Sequence, residues 1–246
     1  LASPYTLGIT ASASFGAAIA ITLGLSVAGY LWIGTALLAL VFALAVSLLI
    51  FYLGRLKGMS TSTLILSGII MNFFFQALQQ YLQYRASPEI AQIISGWTFG
   101  NLQRSSWMSV VVSGCLLVMG AALLSGWSWR LTVLTTGEER ARSLGINVER
   151  LRLHVFLICS FLIAGAVGFI GTVAFVGLIS PHCAKLLLCD DQRFLIIGSS
   201  MVGSALMLAA SIISKLMSEG ATLPVGIVTS IVGVPFLFFL LLRSRE

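Results

Sequence analysis

Long apolar runs, broken at short intervals by glycine, proline or charge, dominate the pattern of the chain. Runs of this kind read as membrane helices, because about twenty apolar residues cross the hydrocarbon layer. They fall at Leu7 to Leu25, Leu31 to Phe51, Leu64 to Tyr84 and Trp107 to Leu124. Beyond a charged interval come Val155 to Phe175, a short piece around Pro181 to Leu188, Phe194 to Leu216, and Val225 to Leu242. The short piece cannot cross as a full helix. The stretch Gly177 to Pro181 predicts irregular backbone entering the membrane, with Pro181 in the first turn of the helix that follows; such backbone must be buried in protein or face water. The predicted fold is all-α: a polytopic transmembrane bundle of about eight membrane segments, one a short broken helix, forming a single domain over residues 1–246.

Two patterns inside these runs predict their surroundings. Gly8, Ser12, Gly16, Ala20 and Gly24 recur at four-residue steps, a small-residue stripe that lets helices approach closely in lipid. Ser160, Ala164, Gly168 and Thr172 repeat it, as do Ser200 and Ser204. The third run instead carries Asn72, Gln76, Gln79, Gln80 and Gln83 on one face of a helix that is otherwise apolar. Amides facing lipid are costly, so this stripe either pairs across helices or lines a water-filled translocation pathway.

Composition agrees with lipid as the solvent. The chain is 58% hydrophobic and 9% charged, with a mean hydropathy of +1.03, too little polar surface for a water-soluble domain of 246 residues. The net charge of +6 matters through its placement and does not point to nucleic acid. With eight crossings, Arg55, Lys57, Arg130, Arg140, Arg142, Arg150, Arg152, Lys185, Arg193, Arg243 and Arg245 share one side, leaving Arg85, Arg104 and Lys215 on the other. The positive-inside rule makes the first side, with both termini, cytoplasmic. The opening on Leu1, with no Met and no signal peptide, reads as a cut.

Candidate chemistry is sparse. Cys115, Cys159, Cys183 and Cys189 form no CxxC pair and read as small hydrophobic filler. No acidic residue sits mid-span, His154 and His182 read as polar end groups, and no metal-ligand cluster is apparent. No phosphate-cradling loop or Ser/His/Asp arrangement is visible, so the chain is read as no enzyme in itself. A secondary transporter would want midplane ionisable groups or paired broken helices, and a non-transporting remnant remains a further alternative.

The longest charged interval, residues 130–153, contains Thr136-Gly137-Glu138-Glu139-Arg140-Ala141-Arg142-Ser143-Leu144-Gly145-Ile146. It predicts a short amphipathic cytoplasmic helix with Ala141, Leu144 and Glu138 facing alternately, capped by Thr136 and ended by Gly145. It is either a solvated connection or a docking element.

The segment Gly137 to Gly145 resembles the coupling region of the iron-siderophore, haem and cobalamin permease family of ABC importers. Leu1 to Ile9 resembles that family's stretch before its third helix, Gly177-Leu178-Ile179-Ser180-Pro181-His182 its Gly-Leu-Ile-x-Pro-His motif, and Leu223-Pro224-Val225-Gly226-Ile227-Val228-Thr229 the entry to its last helix. The resemblance implies a type II importer permease of ten helices, of which this chain would supply helices three to ten, in a bacterial inner membrane. It implies as partners a second copy of the permease, two cytoplasmic ATPases that bind the ATP, and an extracytoplasmic solute-binding protein. Gly137, Glu138, Glu139, Arg140, Ala141, Arg142, Leu144 and Gly145 would then couple to the ATPase. Lys215 and Glu219 would meet the binding protein, with Arg85 and Arg104 as weaker candidates flanking a short outer helix at Pro88 to Trp97. No bound cofactor is expected, and the cargo would be a metal chelate or an oxyanion.

Overall fold

The computed structural model describes residues 7–27, 30–57, 60–102, 105–187, 192–217 and 223–243. Among these the fold is helical without strands: α1 (Ile9–Thr22), α2 (Leu31–Leu56), α3 (Thr61–Arg85), α4 (Pro88–Thr98), α5 (Trp107–Thr135), α6 (Glu138–Ser143), α7 (Val148–Ile170), α8 (Val176–Leu187), α9 (Gln192–Leu216) and α10 (Val225–Arg243). Five of them, α2, α3, α5, α7 and α9, are long and apolar enough to cross a membrane, while α1, α8 and α10 provide shorter apolar helices. The eight segments expected from the apolar runs are therefore present.

Helix α1 forms the centre. Eleven of its fourteen residues are buried, and it packs on α2, α3, α4 and α7. It bears no charge and only small hydroxyls among its polar side chains, as suits a helix surrounded by others. The small-residue stripe explains the closeness of the packing: a Cβ at Gly16 would lie 2.5 Å from the Leu38 carbonyl oxygen of α2. The second stripe, on α7, serves the same partner. Gly168 rests on Ala36, and the Ser160 and Ser47 hydroxyls hydrogen-bond to each other across the seam. Ser200 and Ser204 behave differently, since both are exposed on α9 and bond the carbonyls of their own helix.

Helices α8, α9 and α10 pack together as a second group, joined to the first partly through α5 and α9. The outer faces of α5, α9 and α10 present Val118, Leu117, Met201, Leu208, Ile231 and Phe238 outward, which in a membrane protein is the surface that meets lipid.

Two expectations about local structure are corrected. Thr136 does not cap α6; it closes α5, whose helix runs eleven residues past the expected Leu124, and Gly137 stands at the α6 N-cap. The irregular backbone precedes Gly177 instead of including it. Residues 171–174 have no regular structure, Gly171 and Phe175 have φ +84° and +66°, and Pro181 lies inside α8, with His182 one position further along the helix. A proline there leaves the Gly177 carbonyl without its helical donor, which a membrane helix tolerates when neighbours pack around it.

Candidate functional site

The amides of α3 meet a helix that folds back beside them. Helix α4 begins just after α3 ends, capped by the Ser87 hydroxyl with Pro88 in its first turn, and runs antiparallel along it. The Gln79 side chain donates to Thr98 Oγ1 at 2.6 Å and the Gln83 side chain to Ser95 Oγ at 3.4 Å. Gln79 is six residues short of Arg85, so the tip of α4 returns about 9 Å into the bundle at ~1.5 Å per residue. The short outer helix expected at Pro88 to Trp97 is present, and it points inward.

The stripe thus pairs in part across helices and in part lines a cavity. Gln79 and Gln83 pair with α4, while Gln76 donates to Asn72 Oδ1 within α3 at 3.4 Å. Gln76, Gln79, Gln80 and Gln83 also line a cavity of about 180 Å³, whose remaining walls are Thr10, Ala11 and Ser14 of α1, Thr98, and Thr172. No wall residue is ionisable. Ser14 is buried, and its Oγ has no hydrogen-bond partner in the structure, a cost of about 1–3 kcal/mol unless water or a solute fills it.

Beside this chamber the ends of α4 and α7 and the start of α10 meet. The N–H groups of Val225 and Gly226, which open α10 and have no partner within that helix, donate to the carbonyls of Gly100 and Phe99 at 3.1 and 3.0 Å. Asn101 N–H donates to Ile170 O at 2.8 Å, tying the same turn to the end of α7, and Thr172 Oγ1 bonds the Thr98 carbonyl. Backbones this close exclude side chains: a Cβ at Gly171 would fall 1.9 Å from the Trp97 oxygen and one at Gly226 would fall 2.3 Å from that of Phe99. Non-helical backbone inside a membrane bundle needs such internal partners. The sequence singled out Gly226 but not Gly100, Gly171, Thr10, Ser14 or Thr98. Thr172 it placed in a packing stripe only.

At the far end, α6 hangs from α5 and α7. Ala141 is fully buried against Val133 and Val148, whereas Leu144, Arg140 and Arg142 are exposed. Helix α6 ends in a Schellman motif: Ile146 N–H donates to Ala141 O and Gly145 N–H to Arg142 O, both at 3.0 Å, with Gly145 at φ +79°. Glu138 bonds Arg152 of α7 and lies 3.7 Å from Arg142.

Of the remaining expected site residues, Lys215 is exposed in the last turn of α9, and Ser214 beside it bonds the Leu223 carbonyl before Pro224. Gly177 is exposed near the start of α8. Glu219 and Arg104 lie outside the described residues.

A multi-pass helical bundle with a polar chamber among broken helices defines a membrane permease. The chain belongs to the FecCD transport family, whose profile it matches over residues 1–243. It is 34% identical over 247 residues to the cobalamin import system permease protein BtuC of Halobacterium salinarum, covering 100% of this chain and 65% of that one. It is 31% identical over 247 residues to the hemin transport system permease protein HmuU of Yersinia pestis, covering 100% and 74%. Its fold superposes, at a TM-score of 0.88 and 28% identity over 99% of this chain and 77% of the other, on the inward-facing conformation of an ABC transporter assigned to the metal-chelate type.

Proposed function

We propose that this chain is the membrane-spanning subunit that carries a metal chelate across the cytoplasmic membrane by alternating access, driven by ATP hydrolysis in a separate subunit. The observation that carries this reading is the uncharged polar chamber between α1, α3 and the returning α4, in a chain of this family. A cargo that must be released needs hydrogen bonds weak enough to break, and neutral amides and hydroxyls provide that where paired charges would hold on. The relatives named for cobalamin and hemin support a bulky chelate as cargo. At about 180 Å³ the chamber of one chain is below the roughly 300–1,000 Å³ of a drug-sized ligand site, so alone it would contact only part of a bulky chelate.

Helix α6, with Glu138, Glu139, Arg140, Ala141, Arg142 and the flanking Gly137, Leu144 and Gly145, is the element that an ATPase would grip, because it is exposed yet anchored to two membrane helices. Lys215 is the outer-side contact for an acidic patch of a binding protein, and a second copy of the chain completes the pathway. The test is co-purification with the cognate ATPase and second permease, followed by uptake of iron-siderophore, haem and cobalamin into vesicles. ATP-dependent accumulation of one of them supports the reading; ion-gradient-driven accumulation without the ATPase would replace it with a secondary transporter.

A further inference from the structure

A second cavity, of about 560 Å³, lies between the end of α5 and the start of α7, beside the loop that follows α6. Its walls include Trp127, Trp129 and Arg130 from α5 and Arg150 and His154 from α7. Leu144 and Gly145, at its rim, also belong to the segment an ATPase would grip, whereas the transport reading gives Trp127, Arg130, Arg150 and His154 no role.

Its depth follows from the hydropathy of its two helices. The apolar stretch of α5 ends at Leu124 and that of α7 begins at Val155. Trp127 therefore lies just past the most apolar stretch of one helix, and His154 just before that of the other. Tryptophan at that depth is a headgroup-level residue. The Trp127 and His154 rings, both in the cavity wall, meet edge to face with centroids 5.3 Å apart.

Its charge is one-sided. No carboxylate is among the wall residues, and the ion pairs of the described residues join Glu138 to Arg142 and Arg152, leaving Arg130 and Arg150 without an acidic partner. Two guanidinium groups beside a cavity between membrane helices suit a phosphodiester anion, which arginine binds through two parallel N–H donors. Val133 and Leu151 add an apolar wall of the kind that glycerol and the first acyl carbons need.

We propose that this cavity is a binding site for the headgroup of an anionic phospholipid of the cytoplasmic leaflet. The bound headgroup bridges the α5 end to the α7 start, the two elements against which Ala141 of α6 is packed. The site rests on the cytoplasmic placement of α6 that the proposed function assumes but not on the identity of the cargo, and its failure would leave the transport reading standing.

The test is native mass spectrometry of the purified, detergent-solubilised protein titrated with phosphatidylglycerol, phosphatidylcholine and inorganic phosphate. At the tightest site, phosphatidylglycerol should bind about 30-fold more tightly than phosphatidylcholine, the contrast expected of two basic side chains. Arg130→Gln/Arg150→Gln should abolish that preference, while Arg55→Gln/Lys57→Gln, which removes equal charge elsewhere on the same side, should retain it. Equal affinity for the two lipids, or a preference intact in Arg130→Gln/Arg150→Gln, overturns the site. Displacement of phosphatidylglycerol by millimolar inorganic phosphate overturns the lipid in favour of a free anion, and loss of the preference on adding the ATPase overturns it in favour of a protein contact. If the double variant does not fold, brominated lipids decide. Phosphatidylglycerol should quench tryptophan emission more than phosphatidylcholine, and Trp127→Phe/Trp129→Phe should remove most of the excess; an excess unchanged in that double variant overturns the site.

Discussion

Gly226 and Gln79 show how differently two residues singled out in the same chain are used. Gly226 is required by contact, because its N–H reaches the Phe99 carbonyl and a Cβ would collide with that oxygen. Gly226→Ala should cost about 1–3 kcal/mol of stability, as overpacking does, while Gly114→Ala, where a Cβ meets nothing within 4 Å, should be near neutral. Chemical unfolding of both variants in the same detergent checks this. Gln79 is held by an interhelical hydrogen bond to Thr98. A double-mutant cycle with Gln79→Ala and Thr98→Ala should give a coupling of about 0.6 kcal/mol, the average for such bonds in membranes, and the same cycle with Ser14→Ala in place of Thr98→Ala should give almost none. The glutamines were legible as a stripe because α-helical periodicity is local. That two of them face a returning helix was not, because the turn at Ala86 and Ser87 says only that α3 ends.

Helix α6 is the element on which coupling would depend, and its fixings predict how it would fail. Gly145 holds a positive φ that closes the Schellman motif, and its N–H is used there. Gly145→Pro removes that donor and imposes a negative φ, so the end of α6 should unravel. Arg140→Glu leaves the helix intact, since Arg140 is exposed, and changes only what a partner meets. Both variants should reduce uptake and transport-stimulated ATP hydrolysis in reconstituted vesicles, Gly145→Pro with altered protease sensitivity near residue 145 and Arg140→Glu without it. Wild-type uptake in both would make α6 a plain connection. The sequence located this helix to within two residues but assigned its cap to Thr136. The preceding helix overrode that choice, because α5 gains stability by continuing past its apolar run to place Val133 against Ala141.

For the whole molecule, the orientation proposed from charge would make Lys215, in the last turn of α9, an outer-side cation. Lys215→Glu should weaken docking of the cognate solute-binding protein several-fold at low salt and little at high salt, measured by surface plasmon resonance on the reconstituted complex. A salt dependence equal to that of the unmodified protein would remove Lys215 from the interface. The sequence by itself determined the class: lipid as solvent, about eight helical segments and the family, all of which follow from composition, run length and local motifs. Tertiary structure decided that α1 is a buried axis, that α4 turns back into the bundle, and that the ends of α4, α7 and the start of α10 exchange backbone hydrogen bonds. These depend on carbonyls and amides brought together from residues 97–101, 170–172 and 225–226, and backbone groups look alike at every position of a sequence. Only their placement in space says which of them must find each other once water is excluded.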